Sequence, residues 1–161
     1  MKYGVFPIRK ELEAIQHVIP EINPAAVLAM LRILQSSAAI REQIFAVLEQ
    51  KYQLSEGKLS VMMVLYEHSE GVAPSVLAEN AGVSRATISV MLHRMLRDNL
   101  IQTASDTADG RGKVIKLTPA GREFLSNLLP DHFLRISQTM GRLNAQEQEQ
   151  LIQLLHKLVQ K

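Results

Sequence analysis

Val76 to Leu96 reads VLAENAGVSRATISVMLHRML, and the pattern inside these residues decides the fold. Leu77, Ala81, Val83, Ile88 and Met91 are apolar at the spacing that fills a wedge between two short helices, about 74–81 and 84–98. Ala78 is small where the second helix must pass close to the first. Gly82 falls where the chain turns, and a turn this tight asks for a positive φ that glycine adopts without a Cβ penalty. Ser84 supplies a hydroxyl cap for the second helix, whose polar face then holds Arg85, Thr87, Ser89, His93, Arg94 and Arg97. Two helices crossing steeply, the second with a polar N-terminal turn, form a helix-turn-helix. A major groove about 12 Å wide admits such a helix.

The residues that follow extend the motif. Two strand-like runs, 101–105 and 114–117, flank the glycine-containing segment TADGRGK at 107–113, which predicts a hairpin. A two-stranded ribbon beside a recognition helix is a wing. Arginine at its tip can enter a minor groove, where the potential is most negative, and Arg111 is placed to do so. Asp109 is a poor phosphate neighbour but can orient Arg111 through a charge-assisted hydrogen bond, and Lys113 adds positive charge beside them.

Working outward, Ile8, Leu12, Ile15, Val18 and Ile19 recur at helical spacing, and Pro20 and Pro24 end that run. A long helix is predicted over 24–52, with Asn23 as cap and Pro24 in its first position. Ser55 caps a third helix ending near Gly71. After the hairpin, Thr118-Pro119 starts a helix that passes Leu128 and resumes after Pro130 to about Leu143. Asn144 caps the last helix, with Leu151, Ile152, Leu154, Leu155, Leu158 and Val159 on one side. The fold class is mostly α: a winged helix-turn-helix with a two-stranded β-wing and N- and C-terminal helices.

A chain of 161 residues can bury roughly 70% of its unfolded surface, enough for one domain without staples. It has no cysteine, which excludes disulfides, thiolate metal sites and cysteine nucleophiles and is compatible with the cytoplasm. No apolar run approaches the roughly 18 residues of a membrane span, and the first residues lack a signal-peptide core, so a cytoplasmic location without membrane is expected. The formal net charge of +2 is unevenly spread: residues 1–83 carry −2, residues 84–116 carry +3, and residues 117–161 carry +1. A local basic excess on a nearly neutral chain fits a polyanionic partner. The five histidines show no i, i+3 or i, i+4 pairing, and no phosphate loop, nucleophile elbow or paired-carboxylate signature is present. Neither an enzyme nor a metal or other cofactor is expected.

Leu77-Ala78, Gly82-Val83-Ser84, Thr87-Ile88-Ser89, Leu100-Ile101, Asp109-Gly110-Arg111, Val114, Leu117-Thr118 and Gly121 together resemble the MarR family of bacterial transcriptional regulators. The motifs span roughly 59–121. Members often have glycine after the recognition helix, where Asn99 stands here, and asparagine can still adopt a left-handed C-cap. The resemblance implies a homodimer bound to a palindromic operator on double-stranded DNA and released by a small, commonly aromatic or phenolic, effector. It also implies that residues 1–52 and 122–161 form dimerisation helices around a winged lobe at 53–121, all within one domain. The apolar stripes near both chain ends fit that implication, because a second subunit would cover both.

The expectation is therefore a sequence-specific duplex-DNA-binding regulator, a ligand-responsive repressor acting as a homodimer. Arg85, Thr87 and Ser89 would probe base edges, Ser84, His93 and Arg94 would reach phosphates, and Arg97, Asp109, Arg111 and Lys113 complete the DNA-binding set. The alternative is a winged-helix module that binds protein, with the basic face coincidental.

Overall fold

Side-chain caps set the starts of most helices in the computed structural model, which describes residues 7–105 and 112–160. Helix α1 (Arg9–Val18) opens with the Glu11 carboxylate accepting from the Ile8 N–H at 2.9 Å. For α2 (Pro24–Tyr52), Asn23 Oδ1 accepts from the N–H groups of Ala25 and Ala26 at 3.0 and 3.1 Å. Ser55 Oγ accepts from the Lys58 N–H and begins α3 (Glu56–Glu67). Thr118 Oγ1 accepts from the Gly121 N–H at 2.9 Å and begins α6 (Pro119–Met140). A reciprocal pair, Asn144 Oδ1 with the Glu147 N–H and Glu147 Oε2 with the Asn144 N–H, begins α7 (Ala145–Val159). Each such oxygen satisfies a donor that the first helical turn otherwise leaves unpaired.

The chain divides into two compact units, Met1–Val47 and Leu48–Lys161. The first holds α1 and most of α2, with Leu12 buried and Ile8, Ile15, Val18, Met30 and Leu34 exposed. In the second, α4 (Pro74–Asn80) packs on α3 and on α5 (Arg85–Arg97), and the two meet the antiparallel pair β1 (Ile101–Ser105) and β2 (Lys113–Leu117). The ladder runs from Ile101 opposite Leu117 to Ser105 opposite Lys113. Val72 adds a one-residue bridge on the other edge of β2, exchanging two backbone hydrogen bonds with Ile115. The core gathers Met62 and Leu65 of α3, Leu77, Ile88, Met95, Ile101 and Leu117, and Leu125 and Leu128 of α6, all buried. This is the winged helix-turn-helix expected.

Two boundaries differ from the sequence reading. Helix α3 stops at Glu67 rather than near Gly71, and Gly71, at φ 96°, lies in the turn that follows. Helix α6 does not break at Pro130 but runs through it to Met140. Proline removes one N–H from the helix, and burial of Leu125, Leu128 and His132 on either side keeps the two halves in register. Among the described residues, no helix is long and apolar enough to cross a membrane.

Candidate nucleic-acid interface

Helix α4 ends in a Schellman arrangement: Val83 N–H donates to Ala78 O and Gly82 N–H to Glu79 O, both at 3.0 Å, with Gly82 at φ 61°. The turn redirects the chain at once into α5. Helix α5 ends the same way. Leu100 N–H donates to Met95 O and Asn99 N–H to Leu96 O, and Asn99 takes the left-handed position at φ 55°. Asparagine does here what glycine more often does, so the recognition helix stops where the wing begins.

Between these ends, Ile88, Leu92 and Met95 are buried. At about 3.6 residues per turn, Ala86, Val90, His93 and Arg97 lie on the opposite side, and all four are exposed. Two hollows flank that outer line. One is lined by Arg85, Ser89 and His93 together with Pro74 and Ser75 at the start of α4. The other is lined by Thr87, Val90 and Arg94 together with Ser55 and Lys58 of the α3 start. From Asn80 to Arg97 the chain carries no carboxylate, so Arg85, Arg94 and Arg97 make the exposed side of α5 basic toward both of its ends.

The expected site residues have different local duties. Ser84 Oγ accepts from the Thr87 N–H at 3.1 Å, and the two hydroxyls share a hydrogen bond at 2.9 Å. Both hydroxyls are thus already engaged at the cap. Arg85, Ser89, His93 and Arg94 are exposed on α5. Arg97 reaches Asp98 at 3.9 Å, and Lys58 reaches the same carboxylate at 3.3 Å, which offsets part of the positive charge at that end. Lys113 is exposed at the first position of β2, opposite Ser105. Asp109 and Arg111 lie outside the described residues.

Sequence reasoning passed over Lys58, because nothing in the local pattern ties the first turn of α3 to the flank of α5. It also passed over Ala86 and Val90 by following polarity. The period of Ile88, Leu92 and Met95 would have placed those two at the centre of the exposed side. Among the described residues there is no group of three His, Cys, Asp or Glu side chains able to hold a metal ion.

A sequence model of the MarR family matches residues 52–112. The transcriptional regulator HosA of Escherichia coli O157:H7 is 31% identical over 106 residues, which span 66% of this chain and 78% of HosA. The chain belongs to the MarR family. The transcriptional repressor YetL of Bacillus subtilis (strain 168) is 32% identical to this MarR-family chain over 109 residues, 67% of the chain but 65% of YetL, just under two thirds of that repressor's length. The fold also matches the crystal structure of a Staphylococcus aureus MepR–DNA complex, with a TM-score of 0.65, 21% identity and coverage of 86% of this chain and 98% of MepR. Both sequence relatives are named as transcriptional regulators, so the expectation of a regulator rather than an enzyme holds at the level of the family.

Proposed function

We propose that the chain is a homodimeric, sequence-specific DNA-binding repressor that acts on a palindromic operator and responds to a small effector. The observation that carries this reading is α5 itself. It is held by Ile88, Leu92 and Met95 on one side, and its other side is exposed, basic and free of carboxylates. A helix so held can enter a major groove as one rigid piece. The MepR–DNA complex shares the fold, and YetL is named a repressor. The exposed apolar residues of α1 and α7 support a second subunit, which would set two recognition helices about 34 Å apart, one DNA turn. Residues 1–52 and 122–161 would supply that interface around the 53–121 lobe. In this reading Arg85 and Ser89 meet base edges, with Thr87 beside them. Ser84, Arg94, Arg97 and Lys113 meet phosphates, as does His93, and Arg111 with Asp109 serves the wing tip.

An aromatic effector would act by binding one spacing of the two recognition helices better than the other, since only differential affinity moves such an equilibrium. The test is fluorescence anisotropy with DNA from upstream of the protein's own gene, at several salt concentrations. Saturable binding of one dimer with a steep salt slope and a preference over scrambled DNA is expected. Arg85→Ala should lose roughly 1–3 kcal/mol of base discrimination. Lys113→Ala should lower the salt slope by about one unit while weakening all sequences alike. No binding at low salt to any duplex would leave a protein-interaction module instead.

A further inference from the structure

The outermost line of α5 holds a residue that no hydrogen-bonding account of recognition uses. Val90 is 55% exposed, one turn after the exposed Ala86 and two residues on from the buried Ile88, hence on nearly the opposite side of the helix. Valine is a poorer helix former than alanine or any long polar residue, and an exposed β-branched side chain adds little to the stability of α5. It has no donor or acceptor, so it can neither bond a base edge nor neutralise a phosphate. Of the features a major groove displays, the one that an apolar side chain recognises is the C5-methyl group of thymine. Val90 is flanked by Arg94 of α5 and Lys58 of α3, which share its hollow. An exposed arginine beside an apolar side chain suits a groove whose walls are phosphates and whose floor carries methyl groups.

We infer that Val90, with Ala86 on the preceding turn, reads a thymine methyl in each half-site and so fixes a T·A pair in the operator. The inference rests on the DNA-binding reading above and names what the middle of the recognition helix selects. Arg85 and Ser89 then contribute hydrogen bonds on one side of the methyl contact, and Arg94 contributes charge on the other, beside Lys58, whose ammonium is paired with Asp98.

The test begins with the full chain selecting duplexes from a random-sequence pool. Each thymine of the selected duplex is then replaced in turn by deoxyuridine, which removes only the methyl. One thymine per half-site should be sensitive, with binding about fourfold weaker, the worth of one buried methyl group. Val90→Ser should bind the thymine and deoxyuridine duplexes equally well at that position. Its circular dichroism melt and its salt slope should stay close to those of the unmodified chain, because Val90 is 55% exposed and carries no charge. Wild-type binding that is indifferent to every deoxyuridine replacement overturns the inference while leaving DNA binding intact. So does an undiminished deoxyuridine effect in Val90→Ser. Failure of the unmodified chain to enrich any duplex is a different result, and it removes the DNA-binding reading itself.

Discussion

The winged lobe and helix α7 are both rich in apolar residues, and the two regions use them in opposite ways. In α3, Leu59, Val61, Met62 and Leu65 are all buried. In α7, which opens with the reciprocal Asn144–Glu147 cap, no residue is buried, and Ile152, Leu154, Leu155, Leu158 and Val159 are 61, 54, 39, 58 and 77% exposed. Both helices satisfy their own backbone, so the difference is tertiary. The lobe closes on itself through β2, α5 and α6, whereas α7 leaves most of its apolar side exposed. An amphipathic pattern states that a face is to be covered and leaves open what covers it.

The comparison breaks most sharply at Gly121. A Cβ there would overlap the carbonyl oxygen of Leu100, and that oxygen also accepts the Thr118 N–H at 3.1 Å. Neither backbone can move without opening the junction between α5, β1 and α6. Gly121→Ala should therefore cost about 3 kcal/mol or more in urea unfolding, because the added carbon meets backbone rather than a side chain that can swing away. A near-native midpoint would mean that the lobe is less tightly closed than its burial indicates.

The other half of the comparison is sharpened by Leu155→Glu combined with Leu158→Glu. Sedimentation should show the proposed dimer weakened on the order of a hundredfold, roughly 3 kcal/mol, as two side chains lose an apolar partner surface. Far-UV circular dichroism should keep its helical signal, since neither residue is buried within the chain. An unmodified chain that sediments as a monomer would remove the contrast with the lobe altogether, leaving α7 without a partner.

The smallest effect concerns His132, which with Thr118 makes up the buried polar residues of the described chain. Desolvation by burial, and then the nearby charge of Arg135, lower its pKa from 6.5. The folded state therefore favours neutral imidazole, and the unfolded chain takes up the proton more readily as pH falls. The stability this group allows is fully present above about pH 6.5 and is lost as pH falls through the lowered folded value. Thermal midpoints of His132→Leu should accordingly decline less between neutral and mildly acidic pH than those of the unmodified chain. Parallel declines would place the acid sensitivity elsewhere.

Much of the fold is legible in residues close together along the chain. Asn23, Ser55, Ser84, Thr118 and Asn144 each cap the helix that follows, since a cap bond spans two or three residues and needs no distant partner. Gly82 and Asn99 are left-handed for an equally local reason: a helix that ends in two residues needs φ above zero there. The wing strands followed from the two short strand-like runs on either side of the glycine-containing segment, the second beginning one residue earlier, at Lys113.

What the sequence by itself determined was thus the elements, most of their starts and the family motif that orders them. Tertiary structure decided which faces are used. Polarity alone suggested Thr87 as a base reader, yet its hydroxyl is engaged at the cap, and burial of Ile88, Leu92 and Met95 puts Ala86 and Val90 at the centre of the exposed side. Lys58 stands beside Arg94 because α3 and α5 pack together across many residues of sequence. Pro130 sits inside a continuous helix because buried neighbours hold both halves. The physical reason is one of range: caps and turns are fixed by bonds within a few residues, while burial depends on every element that arrives at the same place.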